Sequence, residues 1–340
     1  MKKFLLPLVA LVLLSIPLQG QETESLGSYA ELTLIPRLDV SPTLYQDSPN
    51  EINFGNSSLY TQLEGAFSDN LSFTLINHWI QLDDMDDLAW PYKNIGRSDD
   101  WNFVDMCYME YSTGSWAFTL GKDVLTIGGY EFDDWDWDTH TALASPLWYY
   151  MPCYQWGGKI TYTTPSEQNS FSLQMTTSPY GEHPFSSGLW TYSLGWRGEY
   201  ENWGLIGSFS ALEMGESSYQ LLACLGVNAQ LGSWGDLTID WNNTGAYNEL
   251  DWSFLDGNCF QSKLTITTVD SWDFSVKGIY NVVPEGSILP SSWTLGGIAH
   301  FYPIENSEDL RLHAYIAYDS LTSGLSLNIG ARYQLRFNLW

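Results

Sequence analysis

Apolar and polar residues alternate with a period of two along almost the whole chain, and turn residues interrupt the alternation at short intervals. The C-terminal segment shows it best. Leu325, Leu327, Ile329, Ala331, Tyr333, Leu335, Phe337 and Leu339 share one side, and Asn328, Arg332, Gln334, Arg336 and Asn338 share the other. Leu310, Leu312, Ala314, Ile316 and Tyr318 likewise oppose Arg311, His313 and Tyr315. A strand whose every second residue is apolar over such a length presents a wide hydrophobic stripe, which water disfavours and lipid accepts. The pattern predicts sixteen strands, over 29–39, 57–68, 71–80, 101–112, 116–123, 154–164, 170–178, 189–199, 203–213, 219–231, 234–242, 260–269, 272–281, 293–302, 309–318 and 324–339.

The connections sharpen this picture. Those after even-numbered strands are tight: Asp69-Asn70, Thr113-Gly114, Ser166 to Gln168, Glu201-Asn202, Gly232-Ser233, Asp270-Ser271 and Glu305 to Glu308. Those after odd-numbered strands are mostly long, as at 40–56, 81–100, 124–153, 243–259 and 282–292. Short periplasmic turns and long extracellular loops are the asymmetry of bacterial membrane barrels. The expected fold is all-β: a transmembrane antiparallel β-barrel of about sixteen strands, with no second domain. Trp116, Trp203, Trp234 and Trp272 each follow a short turn at once, which sets four indoles at one height as an interfacial girdle requires.

Composition agrees. Charged residues make up 16% of the chain against the roughly 25% usual in soluble domains, while aromatics reach 16%. Residues 1–20 read as an export signal: Lys2 and Lys3, an apolar run from Phe4 to Leu18, then Gly20 before Gln21. The barrel is then expected over 21–340, with localisation to an outer membrane of the Gram-negative type. No later apolar run approaches the roughly 18 residues of a membrane helix. The signal takes two of 13 basic residues and no acid, leaving 11 against 40 and a net charge of −29. Such a field disfavours nucleic acid as a partner. Cys107, Cys153, Cys224 and Cys259 fit no zinc spacing, and either small packing residues or disulfides suit an exported chain.

The stretch Asn102 to Asp138, NFVDMCYMEYSTGSWAFTLGKDVLTIGGYEFDDWDWD, resembles the phosphate-selective porin O/P family, in its divergent Bacteroidetes-type branch. YYMPCYQWGGKITYTT (Tyr149 to Thr164) and LQMTTSPYG (Leu173 to Gly181) are similar to the same branch. Over about 100–190 the likeness lies in motifs, and elsewhere it is architectural. It implies a passive diffusion porin for small hydrophilic solutes or ions, a homotrimer in outer-membrane lipid, and a third extracellular loop, about 124–153, folded inward. The chain end, Trp340 after an amphipathic strand, resembles the signal read by the barrel-assembly machinery. The family's cation after the strand-ending Gly falls on Lys122. Phosphate-selective members line their pores with many Lys and Arg, whereas here few are available, so phosphate selectivity is not carried over.

Within this reading the candidate constriction residues are Glu131, Asp133, Asp134, Asp136 and Asp138. Lys122, Lys159, Arg197, Lys263, Lys277, Arg311, Arg332 and Arg336 have inward parity and are the candidate basic lining. Acidic loop and basic wall are expected to face each other across the pore and set up a transverse field. The run DDWDWD also has the hard oxygen donors Ca²⁺ takes, but it lacks the Gly and closing Glu of an EF-hand loop, and no metal or other cofactor is assigned. No enzyme is expected. The five histidines, His78, His140, His183, His300 and His313, come with no Gly-x-Ser-x-Gly elbow, and the Gly128-Gly129 pair precedes a loop rather than a phosphate-binding helix. The rival class is a plugged structural or binding barrel, an adhesin or surface-complex partner without an open pore.

Overall fold

Alternation puts a polar and an apolar face on every strand, and a sheet of such strands escapes unpaired edges only by closing on itself. The computed structural model describes residues 28–46, 48–54, 56–82, 104–181, 185–215, 218–243, 257–269, 271–283 and 290–340. Its strands are β1 (Tyr29–Tyr45), β2 (Glu51–Asn53), β3 (Ser57–Ser68), β4 (Leu71–Leu82), β5 (Val104–Thr113), β6 (Trp116–Val124), β7 (Tyr154–Thr163), β8 (Asn169–Thr177), β9 (Trp190–Tyr200), β10 (Trp203–Gly215), β11 (Ser218–Gln230), β12 (Gly235–Asn243), β13 (Asn258–Val269), β14 (Trp272–Val282), β15 (Ser292–Phe301), β16 (Leu310–Asp319), β17 (Gly324–Tyr333) and β18 (Leu335–Asn338). Each pairs antiparallel with its chain neighbour, and β1 pairs with β3 on one side and with β17 and β18 on the other. β18 continues β17, and β2 is a three-residue addition to β1, so the closed barrel has sixteen strands.

The sequence boundaries differ from the observed ones in two instructive places. The first strand runs on to Tyr45 rather than ending at Asp39, and part of the expected loop 40–56 is β2, paired with Ser41 to Thr43. Pro36 and Pro42 discourage so long a strand, because each lacks an amide donor. The alternation of Leu38, Val40 and Leu44 with Asp39, Ser41 and Thr43 nonetheless continues through both. The last strand is broken at Gln334 without a change of register, Arg332 standing opposite Arg37 and Leu335 opposite Leu34, and the Gln334 amide donates to the Asp309 carbonyl at 2.9 Å. The export segment 1–20, His183, residues 101–103 of the fourth expected strand, and most of the connections 81–100, 243–259 and 282–292 lie outside the described residues.

Burial is inverted relative to a water-soluble domain. Ile329 is 68% exposed, Leu120 65% and Leu38 59%, while Arg37, Asp39, Ser193, Gln220 and Arg311 are buried. The apolar side of each strand therefore faces out, as hydrocarbon requires, and the polar side faces the lumen. Trp116, Trp203, Trp234 and Trp272 are all exposed at the short-turn end, with Trp203 stacked on Tyr200 at 4.3 Å and Trp272 on Phe301 at 4.6 Å. The four cysteines are free thiols: Cys224 and Cys259 are buried, and Cys107 and Cys153 are half-buried.

Candidate constriction in the lumen

The connection between β6 and β7 leaves the wall beside β8 and β10. The Gln174 amide brackets it, donating to the Val124 carbonyl at 2.8 Å and accepting from the Thr126 amide at 2.7 Å. Ser210 donates to the Thr126 carbonyl at 2.9 Å. Gly128 then adopts φ +70, and Gly129 brings the backbone onto β12: a Cβ on Gly129 would stand 2.2 Å from Asp240 Oδ1. That approach lets the amides of Tyr130 and Glu131 donate to the two Asp240 oxygens, both at 3.0 Å. Two 3₁₀ turns follow, Tyr130–Asp133 and Thr141–Leu143, and then a helix over Pro146–Tyr150 that Ser145 caps by accepting from the Trp148 amide at 3.1 Å.

The acids of this connection reach different parts of the wall. Glu131 is buried and accepts from Lys277 at 2.7 Å, from the Gln261 amide at 2.9 Å and from the Ser145 amide at 2.9 Å. Burial pushes its carboxyl up, but the charge and hydrogen bond of Lys277 outweigh that and hold it below its ordinary value. Asp133 pairs with Arg197 at 2.5 Å and Asp134 with Lys263 at 3.4 Å. Asp138 bridges Arg311 at 2.6 Å and Arg332 at 2.8 Å. Asp136 is the exception: burial, reinforced by the Asp105 carboxylate and opposed by a hydrogen bond from Tyr154, raises its carboxyl to about 7.

These contacts change one expectation. Acids and bases meet in direct ion pairs at 2.5–3.4 Å, so much of the transverse field is cancelled where it was expected to act. The carboxylates also diverge toward separate cations, and among the described residues no group of three or more His, Cys, Asp or Glu is placed to hold a metal ion.

The remaining basic candidates sit as follows. Lys122 is buried and donates to the Val104 carbonyl at 2.6 Å. Lys159 pairs with Asp123 at 2.5 Å. Arg336 lies near the short-turn rim, half-exposed, beside Asp309 at 3.2 Å. Arg37 is central and was missed. By register Arg311, Arg332 and Arg37 stand side by side across β16, β17 and β1. Arg37 donates to the carbonyls of Trp137 at 3.0 Å and Thr139 at 2.7 Å, while Asp39 neutralises it at 2.7 Å. Its signal was present in the sequence, because Arg37 and Asp39 alternate with Leu38 and Val40.

Apolar contacts complete the seating. Trp137 packs with Ile35, Tyr60, Ile76 and Met106, Leu147 with Leu125, Ile127, Leu212 and Leu222, and Leu143 with Ile298, Tyr315 and Ala317. Among the described residues, recesses lie on opposite sides of the segment. One of about 570 Å³ opens at the long-connection end beside His78, Asp105 and Trp156, and one of about 230 Å³ lies toward the short turns beside Ser170, Trp196 and Arg197.

Among the described histidines, His78 Nδ1 lies 2.7 Å from Asp105 and His313 Nε2 lies 2.7 Å from Asp39. His140 faces His300 at 3.1 Å and Arg37 at 3.4 Å. These partners form no nucleophile–histidine pair of the kind acyl transfer needs.

No protein-family model matches the chain, and no curated protein matches it. Solved structures do match in fold. A mutant of the Rh. blastica porin is 11% identical, with 89% of this chain and 100% of that chain covered and a TM-score of 0.55. OmpF of Salmonella typhi, in complex with daunomycin, is 11% identical over 91% of this chain and 97% of its own, with a TM-score of 0.64. A loop-deletion form of OmpT, an outer membrane protein of Vibrio cholerae, is 11% identical over 90% and 99%, with a TM-score of 0.53. At such identity the likeness establishes the fold.

Proposed function

We propose that this chain is an outer-membrane porin for passive diffusion of small hydrophilic solutes, narrowed by the segment 124–153. The observation that carries the reading is the seating of that segment: ion pairs hold it against a polar inner wall, with a recess on either side. The apolar outer face and the solved porins of similar fold support it. Export follows the pattern of residues 1–20, insertion by the barrel-assembly machinery the amphipathic strand ending in Trp340, and a trimer the resemblance over about 100–190.

The charge arrangement argues against phosphate as the solute. Glu131, Asp133, Asp134 and Asp138 occupy Lys277, Arg197, Lys263 and the Arg311–Arg332 pair. Glu31 and Glu64, opposite each other across β1 and β3, and Glu110 on β5 remain on inward positions. The residual field is negative and favours cations over anions.

The test is single-channel conductance of the purified protein in a planar bilayer with a KCl gradient. Steady steps with a reversal potential of K⁺ preference are expected. Silence from a folded, heat-modifiable barrel overturns the porin and favours the plugged binding barrel, and Cl⁻ preference overturns the charge assignment.

A further inference from the structure

The recess of about 570 Å³ at the long-connection end has the size and make-up of a small-molecule site. Aromatic side chains line it, among them Trp148 and Tyr149 from the short helix, Tyr154 and Trp156 from β7, and Tyr60 from β3. Its polar wall holds three acceptor atoms that have no hydrogen-bond partner among the described residues: Asn56 Oδ1, Ser58 Oγ and Asp105 Oδ2. Their residues are 7%, 9% and 4% exposed, so each belongs to a side chain at least nine-tenths buried. Buried polar atoms in a folded protein are almost always paired, and such orphans facing one recess mark a place for hydrogen-bond donors.

Charge narrows the choice of ligand. Asp105 and Asp136 face the recess together with Lys122 and His78, and His78 is already bonded to Asp105. Positive and negative groups are matched, which suits a neutral solute. An anion brings no donor to the three orphan acceptors and meets two carboxyl groups. An alkyl ligand cannot return the hydrogen bonds that its entry displaces. A sugar satisfies both halves of the wall: hydroxyls donate to Asn56, Ser58 and Asp105, and the C–H face of a pyranose lies against an aromatic ring, apolar on one side and polar at its rim.

We propose that this recess is a binding site for a neutral mono- or disaccharide. Its role in uptake rests on the porin reading; the binding itself does not. The test is isothermal titration calorimetry of glucose, maltose and sucrose, with spermidine as the cationic control, into the full chain folded in detergent. Conductance of the same preparation is measured alongside. Saturable binding of at least one sugar is expected, weakened at least tenfold by Trp148→Ala and by Asp105→Asn, with both variants retaining heat-modifiability. Absence of sugar binding by a folded barrel overturns the proposal, as does binding that neither variant changes. Spermidine binding in place of sugar overturns it in favour of an organic-cation site. Sugar binding without conductance sustains the site and removes the porin reading instead.

Discussion

Asp136 stands apart from its neighbours at the scale of single residues. The other four loop acids each meet a base, whereas burial and the Asp105 carboxylate raise Asp136 to about 7 from an ordinary 3.8. Between those values the folded state binds a proton that the unfolded state has lost, so this group makes stability fall as pH rises. Its contribution is complete below about pH 4 and is lost as the pH passes through about 7. Glu131 works the other way: held below its ordinary 4.5, it stabilises above that value and loses its contribution as the pH falls further. The two windows barely overlap. The unfolding temperature in detergent is therefore expected to decline from about pH 5 to pH 8, and Asp136→Asn is expected to flatten that decline. An equal slope in wild type and variant means that Asp136 is already ionised throughout.

The loop depends on one close approach at the scale of elements. Gly129 allows its backbone onto Asp240, and a Cβ there would meet the carboxylate at 2.2 Å. Either the loop backs away or the Asp240 carboxylate turns aside, and both break the hydrogen bonds from the Tyr130 and Glu131 amides that seat the loop. Overpacking of this kind costs on the order of 1–3 kcal/mol. Gly129→Ala is expected to unseat the segment and raise single-channel conductance while the barrel stays heat-modifiable; unchanged conductance removes the segment from the conducting path. Strands were far easier to read than this seating. Alternation and turn residues are local, so the 57–68 strand came out with both its observed ends. Which base meets which acid depends on register around the closed barrel. Nothing near Asp138 in the sequence points to Arg311 and Arg332, more than 170 positions away. Asp105 was lost for a subtler reason: the register shift between Ile76 and Asn77 turns its side chain to His78, against the parity that local alternation suggests.

At the scale of the whole molecule, the net charge of −27 says little until the bases are assigned. Inward bases on β9, β13, β14, β16 and β17 are occupied by the acids of one loop, and Arg37 on β1 by its own neighbour Asp39. The wall from β1 through β5 keeps Glu31 and Glu64 in one cross-strand row and Glu110 in the neighbouring inward row. Glu110 accepts a hydrogen bond from Thr119 at 3.0 Å. Charges facing water act over a Debye length of about 8 Å at physiological salt. Ion selectivity should therefore reside in this wall rather than in the loop. Glu64→Gln with Glu110→Gln is expected to bring the reversal potential in a KCl gradient close to zero, with step size changed less than twofold. Neutralising Asp134, already engaged by Lys263, is expected to move it much less. A larger shift from the Asp134 variant than from the double variant places the selective field at the loop after all.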